Sequence, residues 1–176
     1  MLKQTLSNIE AVLRARWHLR HATLGERVRL WGRPCLRNDG TLVIGSRVRL
    51  VSTITPLELG TGPEGTLEIG DHTFINYGCS IAAVKSVRIG PRCNIGTYAI
   101  IMDNDFHRLE PERRDEQPPS APVVLEENVW LGARVTVLRG VTIGAGSVIG
   151  AGSVVVNDIP PRSLAVGTPA RVIRSL

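Results

Sequence analysis

Aromatic side chains are scarce in this chain. Its 176 residues hold three Trp, two Tyr and two Phe, so the interior must be built from small aliphatic groups instead of stacked rings. Cysteine is equally sparse: Cys35, Cys79 and Cys93 are an odd number with no C-x-x-C pair, which argues against a disulfide framework and a zinc knuckle. Cys79 and Cys93 are expected to be buried, unreactive thiols. No apolar run approaches the roughly 20 residues that span a bilayer. The N-terminal stretch MLKQTLSNIEAVLRARWHLR has charges scattered through it and no apolar h-region, unlike a signal peptide. The expected compartment is the cytoplasm.

What the chain does have is glycine, aliphatics and a positive balance. Apolar content of 43% and charged content of 21% suit one soluble domain with a real core. The formal charge of +5 points to an anionic partner, and a small phosphorylated ligand fits. Nucleic acid fits weakly, because no basic stripe is interleaved with aromatics.

The strongest signal is an internal beat. Leu125, Leu131, Val137, Ile143, Ile149 and Val155 stand six apart, and a small or β-branched residue follows four places after each frame position (Val129, Val135, Val141, Ser147, Ser153). Earlier segments keep the same spacing at Ile69, Ile75, Ile81 and at Ile89, Ile95, Ile101, with fainter copies at Leu24, Leu30, Leu36 and at Ile44, Leu50. A period of six suits neither a helix nor simple strand alternation. It suits a parallel β-helix in which each hexapeptide is one flat face and three faces close a triangular coil. Two steps run two residues late (Leu36 to Ile44, Ile81 to Ile89), and Ile101 to Leu125 spans 24 residues, one hexapeptide plus 18. The frame therefore predicts that insertions come once per three faces and that all emerge from one edge of the prism.

The stretches FINYGCSI, the His-bearing IMDNDFH loop, VWLGARVTVLRGVTIGAGSVIGAGSVVVNDIPP and VGTPARVIR carry a family likeness. The chain resembles the left-handed β-helix acyltransferases of the hexapeptide-repeat family. The nearest branch is that of the sugar O-acetyltransferases, which contains galactoside, maltose and nodulation-factor acetyltransferases. The likeness implies an all-β, left-handed parallel β-helix over residues 24–159. It also implies a short N-terminal α-helix (1–23), a loop extruded at about 103–122 and a C-terminal CoA-site tail (160–176). It further implies a homotrimer with active sites between subunits, acetyl-CoA as co-substrate, no metal and a carbohydrate acceptor.

Acetyl transfer to an alcohol needs a base for the hydroxyl proton, a donor for the oxyanion, and two substrates held together. His18 and His21 close the N-terminal helix among arginines, and His72 sits in an ordinary repeat position. His107 alone lies in the interruption, beside Asp103 and Asp105, where the resembling family carries its base. The group steadying its other ring nitrogen could be Asp103, Asp105, Glu126 or a backbone carbonyl, with Asp103 favoured. Asp105 is also a candidate for the acceptor. Asn76 matches a substrate-binding asparagine and would hold an acceptor hydroxyl beside His107, while a ladder role inside the coil is the structural alternative. Trp130 matches a tryptophan near the thioester, against a core or trimer-contact role. Gly132, Ala133, Gly150 and Ala151 would let the pantetheine arm approach the backbone. Asn157 stands where some relatives have a phosphate-binding lysine, with Arg162 as a replacement. Arg171 and Arg174, three apart, would both reach one phosphate in an extended or turn conformation. Ala82, Ala83 and Val84 stand where galactoside-type enzymes carry acids that grip the sugar, which argues against a simple galactoside or maltose acceptor; with the resemblance, it points to surface polysaccharide or lipopolysaccharide synthesis.

Residues 2–19 read as an amphipathic helix with Leu2, Leu6, Ile9, Leu13 and Trp17 on one face and Lys3, Arg14 and Arg20 on another. It would cap the open end of the prism through that apolar face, or else attach peripherally to an anionic membrane. Three other functions compete. An N-acetyltransferase of a nucleotide-linked amino sugar would need an N-terminal domain for which the first 23 residues leave no room. A γ-class carbonic anhydrase needs three histidines, where the coils offer only His72 and His107. A non-catalytic scaffold would have no use for His107 and its loop.

Overall fold

The computed structural model describes residues 2–176, with the side chains of residues 2–6 outside the described set. Three parallel sheets wrap into a triangular β-helix. Sheet A starts at Thr23–Leu24 and ends at Thr142–Ile143. Sheet B runs from Arg29–Gly32 to the C-terminus, and sheet C from Cys35–Asn38 to Val154–Val155. The chain visits A, B and C in turn, so each coil hydrogen-bonds only to its neighbours above and below.

The frame residues point inward and stack in columns. Ile44, Ile69, Ile89, Leu125 and Ile143 pair in register down sheet A, and Leu50, Ile75, Ile95, Leu131 and Ile149 down sheet B. All ten are buried, as are the fifth-position residues Thr73, Cys79, Cys93, Ala99, Val129, Val135, Val141, Ser147 and Ser153. The two internal thiols close corners: Cys79 Sγ donates to the Gly96 carbonyl at 3.0 Å and Cys93 Sγ to the Glu126 carbonyl at 3.1 Å. Burial pushes both thiols up to about 11.

The A–B corners repeat one device. Each places a residue in the left-handed region: Arg27, Arg47, His72, Arg92, Asn128, Gly146 and Arg162, with φ from 53° to 70°. From the second coil on, each donates its N–H to the coil before, from Arg47 to Glu26 through Arg162 to Ala145. The C–A edge is irregular and holds the long excursion between Met102 and Val123.

Three expectations need correction. The insertions do not all leave one edge, because Ser52–Leu57 bulges from the B–C corner, closed by Ser52 Oγ accepting from the Leu57 N–H at 2.9 Å. The missing third rung of that coil is Leu59, paired with Leu36 and Ile81. Stacking also continues past residue 159: Ser163–Gly167 adds a parallel strand to sheet B, and Ala170–Ser175 folds back on it antiparallel. The N-terminal helix Leu2–His18 does cap the first coil, but through small residues. Ala11, Ala15 and the following Leu19 are buried, while Ile9, Leu13 and Trp17 face outward at 54%, 61% and 69% exposure. Alanines let the helix axis approach the coil closely, which the bulkier stripe would prevent. The Leu2, Lys3 and Leu6 side chains lie outside the described residues.

Candidate active site

The excursion at 103–122 is held at its root by a buried carboxylate. Asp103 is wholly buried, and its oxygens accept from the backbone N–H groups of Val84, Lys85 and Ser86 at 2.7 to 2.8 Å. Elsewhere on this edge the next coil supplies a carbonyl, as when Gly62 N–H donates to Ala83. At 84–86 the next coil is the excursion itself, so a side chain takes over. Asp103 thus does not steady His107. The two loop arms also pair: Ala121 N–H donates to the Asp103 carbonyl, and Asn104 bridges Ser120 antiparallel.

From that root the chain is aimed residue by residue. Asn104 Oδ1 accepts from the Phe106 N–H at 2.8 Å, an Asx turn. Asp105 pairs with Arg139 on the next coil, and Phe106 stands at φ 61° with its ring exposed. His107 follows, with Nδ1 3.1 Å from the Arg114 carbonyl oxygen. A carbonyl can only accept, so this bond requires a proton on Nδ1 and leaves the Nε2 lone pair free. Arg114 is set by the short 3-10 turn Pro111–Arg113 and by the Arg113–Glu116 ion pair, which holds the Glu116 carboxyl below the usual carboxylate range. His107 is exposed, so this nitrogen faces solvent.

A second group lies on sheet B and the B–C corners. Trp130 sits on the outer face between Asn94 and Val148, 55% exposed, which rules out a core role. Along the same face follow Leu164 and then Arg174, about three strand spacings or ~14 Å from Trp130. Residues three apart in a regular strand point to opposite sides. Here a bulge opposite Leu164/Ala165 pairs Arg171 with Val166 and Arg174 with Leu164, so both arginines share the outer face. A phosphate could meet both. Arg162 is otherwise engaged, its Nε donating to the Leu176 carbonyl at 3.2 Å.

The comparisons bear on this arrangement. A model of the bacterial transferase hexapeptide (six repeats) matches residues 122–157. Nodulation protein L of Rhizobium leguminosarum bv. viciae is 37% identical over 165 residues, covering 93% of this chain and 83% of that protein. The chain belongs to the hexapeptide-repeat acyltransferase family. WbbJ of Escherichia coli (strain K12), named for lipopolysaccharide biosynthesis O-acetyl transfer, is 34% identical over 151 residues, covering 80% of this chain and 76% of WbbJ. A hexapeptide-repeat acetyltransferase of Vibrio cholerae O1 biovar eltor, solved with acetyl coenzyme A, superposes with a TM-score of 0.62 at 40% identity. The match covers 67% of this chain and 64% of that one. The chain spans 53% of one further curated relative and 58% of another.

Within this hexapeptide-repeat chain, the expected site residues divide between two edges. Asn76, Gly132, Ala133, Gly150 and Ala151 follow sheet B at the B–C corners, with Trp130, Arg171 and Arg174 on the adjoining face. Asp103, Asp105, His107 and Asn157 follow sheet C at the C–A corners. One sheet separates Asn76 from His107, so a single chain does not bring them together. Asn76 Oδ1 accepts from the Tyr77 N–H at 2.9 Å, a local bond and not a ladder through the coils. Three grooves, of about 530, 690 and 450 Å³, are lined by none of His107, Asn76 and Trp130.

Two of the glycines have a structural reason. A Cβ on Gly132 would lie 2.6 Å from the Ala151 N, and one on Gly150 would lie 2.7 Å from Val166 Cγ1. Ala151 and Gly152 are exposed, and a Cβ on Gly152 would meet nothing within 4 Å, so the open backbone lies there. Asn104, Phe106, Arg139 and the Arg114 carbonyl escaped the sequence reading. Of these, only the Asn two residues before Phe106 carried a local signal, that of an Asx turn. Among the described residues, no three His, Cys, Asp or Glu side chains gather as a metal site, and no helix is long and apolar enough to cross a membrane.

Proposed function

We propose that this chain is an acetyl-CoA-dependent O-acetyltransferase acting on a carbohydrate hydroxyl, in surface polysaccharide or lipopolysaccharide synthesis. It works as a cytoplasmic homotrimer. The observation that carries the reading is His107, whose Nδ1 is tied to the Arg114 carbonyl while Nε2 stays free at the root of the excursion. His107 Nε2 takes the proton of the acceptor hydroxyl as that oxygen attacks the thioester carbonyl carbon. The tetrahedral intermediate collapses with loss of the C–S bond, and the proton on Nε2 passes to the departing thiolate. Asp105, paired with Arg139, and the exposed Phe106 ring offer the acceptor a polar and a flat apolar contact beside the base. The division of residues over two edges supports sites shared between copies. The C–A corner of one subunit would supply His107, and the B–C corner and sheet B face of its neighbour would supply Asn76, Trp130, Arg171 and Arg174. Relatives named for nodulation and for lipopolysaccharide O-acetyl transfer support a glycan acceptor.

The test is thiol release from acetyl-CoA across a panel of glycans and amino sugars, with sedimentation to establish the mass. We expect CoA release with hydroxyl acceptors and a particle of three 19.1 kDa chains. Acetylation confined to amino groups, or full turnover by a monomer, would overturn the reading.

A further inference from the structure

The net positive charge of this protein comes from its first 50 residues. Residues 1–50 hold ten Lys and Arg against three Asp and Glu, whereas residues 51–176 hold 11 against 13. The surplus is concentrated on the first two coils. Arg29 and Arg49 pair in register on the outer face of sheet B, and Arg27 and Arg47 precede them at consecutive A–B corners. Together they form a two-by-two grid, its rows one strand spacing or ~4.8 Å apart.

One feature sets this grid apart from the later corners of the same edge: its charges have no acidic partner among the described residues. Farther along the same edge, Arg92 pairs with Glu127 and Arg162 bonds the Leu176 carbonyl. Among the described residues no carboxylate pairs with Arg27, Arg29, Arg47 or Arg49, and Arg29 Nε is buried with no hydrogen-bond partner.

The grid adjoins the apolar stripe that the helix turns outward. Arg27, Arg29 and Arg47 line the 690 Å³ groove whose other wall is Asn8, Ile9, Val12 and Leu13. Ile9, Leu13 and Trp17 recur at four-residue spacing on one exposed face, and Arg20 lies over the Trp17 ring at 5.8 Å. A row of aliphatic side chains ending in an indole, flanked by guanidiniums that no carboxylate neutralises among the described residues, matches a lipid interface. The apolar groups enter among the headgroups and the guanidiniums meet phosphates. A second copy of the same face would oppose like charges instead.

We propose that the helix-capped end of the prism docks peripherally on an anionic phospholipid surface. Ile9, Leu13 and Trp17 would insert, and Arg27, Arg29 and Arg47 would bind lipid phosphates. The docking stands apart from the acetyl-transfer reading and is tested without it. The full-length chain is floated with vesicles of phosphatidylethanolamine and phosphatidylglycerol, and separately with phosphatidylcholine alone. Wild type is expected to float with the anionic vesicles only, and to lose at least tenfold in binding between about 0.1 M and 0.5 M NaCl. The double variant Arg27→Gln/Arg47→Gln is expected to bind about 30-fold more weakly, at roughly fivefold per charge. Leu13→Ser/Trp17→Ser should also lose binding, with unchanged melting temperature and sedimenting mass. No binding by wild type, or equal binding to neutral vesicles, would overturn the proposal. So would a change of mass in the stripe variant, which would assign the stripe to a contact between copies.

Discussion

Along the A–B edge, inward residues stand six apart at every coil, from Leu24 and Leu30 to Ile159 and Ala165. Along the C–A edge the steps are 8, 10, 8, 24 and 6 residues, from Leu36–Ile44 to Val137–Ile143. The corner ladder accounts for the first edge. Each A–B corner gives one N–H to the coil before and is itself overlaid by the next, so an added residue would orphan backbone groups on both sides. The C–A edge tolerates insertion because side chains can replace the ladder, as Asp103 does for three N–H groups at once. The long excursion leaves the coil where backbone pairing is handed to a side chain.

The comparison can be broken most sharply at its functional end. His107→Ala should lower turnover by about 10²- to 10⁴-fold and leave the melting temperature unchanged. Steady-state kinetics beside a thermal melt reads both, and retained turnover would remove His107 from the chemistry. Next comes the clamp: Asp103→Ala strands three backbone N–H groups at the root of the excursion, so we expect a loss on the order of 3 kcal/mol in denaturant titration, together with reduced turnover. Asp103→Asn keeps one acceptor oxygen and should fall between the two. On the regular edge, Gly70→Ala places a Cβ 2.5 Å from the Pro91 N and should cost roughly 1–3 kcal/mol with kcat/KM unaltered in the folded fraction. A kinetic defect there would mean that the A–B edge reaches the site.

A further effect is alkaline. Cys79 and Cys93 rise from 9.0 to about 11 on burial, so between those values the unfolded chain gives up protons that the native one keeps. Their contribution is complete below pH 9 and fades as pH climbs toward 11, on the order of 2 kcal/mol per thiol. Denaturant midpoints across that window should slope downward, and Cys93→Ala should flatten the slope. In the native protein at neutral pH a thiol reagent should label Cys35 alone, since it is the exposed one.

The hexapeptide beat made the architecture legible because an inward residue every sixth position leaves a periodic trace in one dimension. Leu59 escaped because the bulge at Ser52–Leu57 delays it by three residues, which breaks the count. The helix orientation is not legible in its large apolar residues, because the buried contact is made by Ala11 and Ala15. Contact depends on how closely two backbones approach, and small side chains permit that. His107 was legible as the one histidine in the interruption. Its support was not, since the Arg114 carbonyl belongs to every residue type alike and the partners of Asp103 are main-chain groups 17 to 19 positions earlier. Nor could spacing reveal the bulge that turns Arg171 and Arg174 to the same side.

The two ends of the stack differ in polarity from its middle. The helix lies across the first rung, and Ala170–Ser175 runs against the grain of the last one with Arg171 and Arg174 on its outer face. A chain added in parallel finds no matching template at either terminus, so the column cannot grow by end-to-end accretion into a fibre. Between those stops the coils are interchangeable units. Duplication or deletion of one whole 18-residue coil in the regular stretch from 125 to 155 would preserve every corner and both terminators. The protein's length is thereby a heritable variable, adjustable in steps of one storey without redesign of the base or the roof.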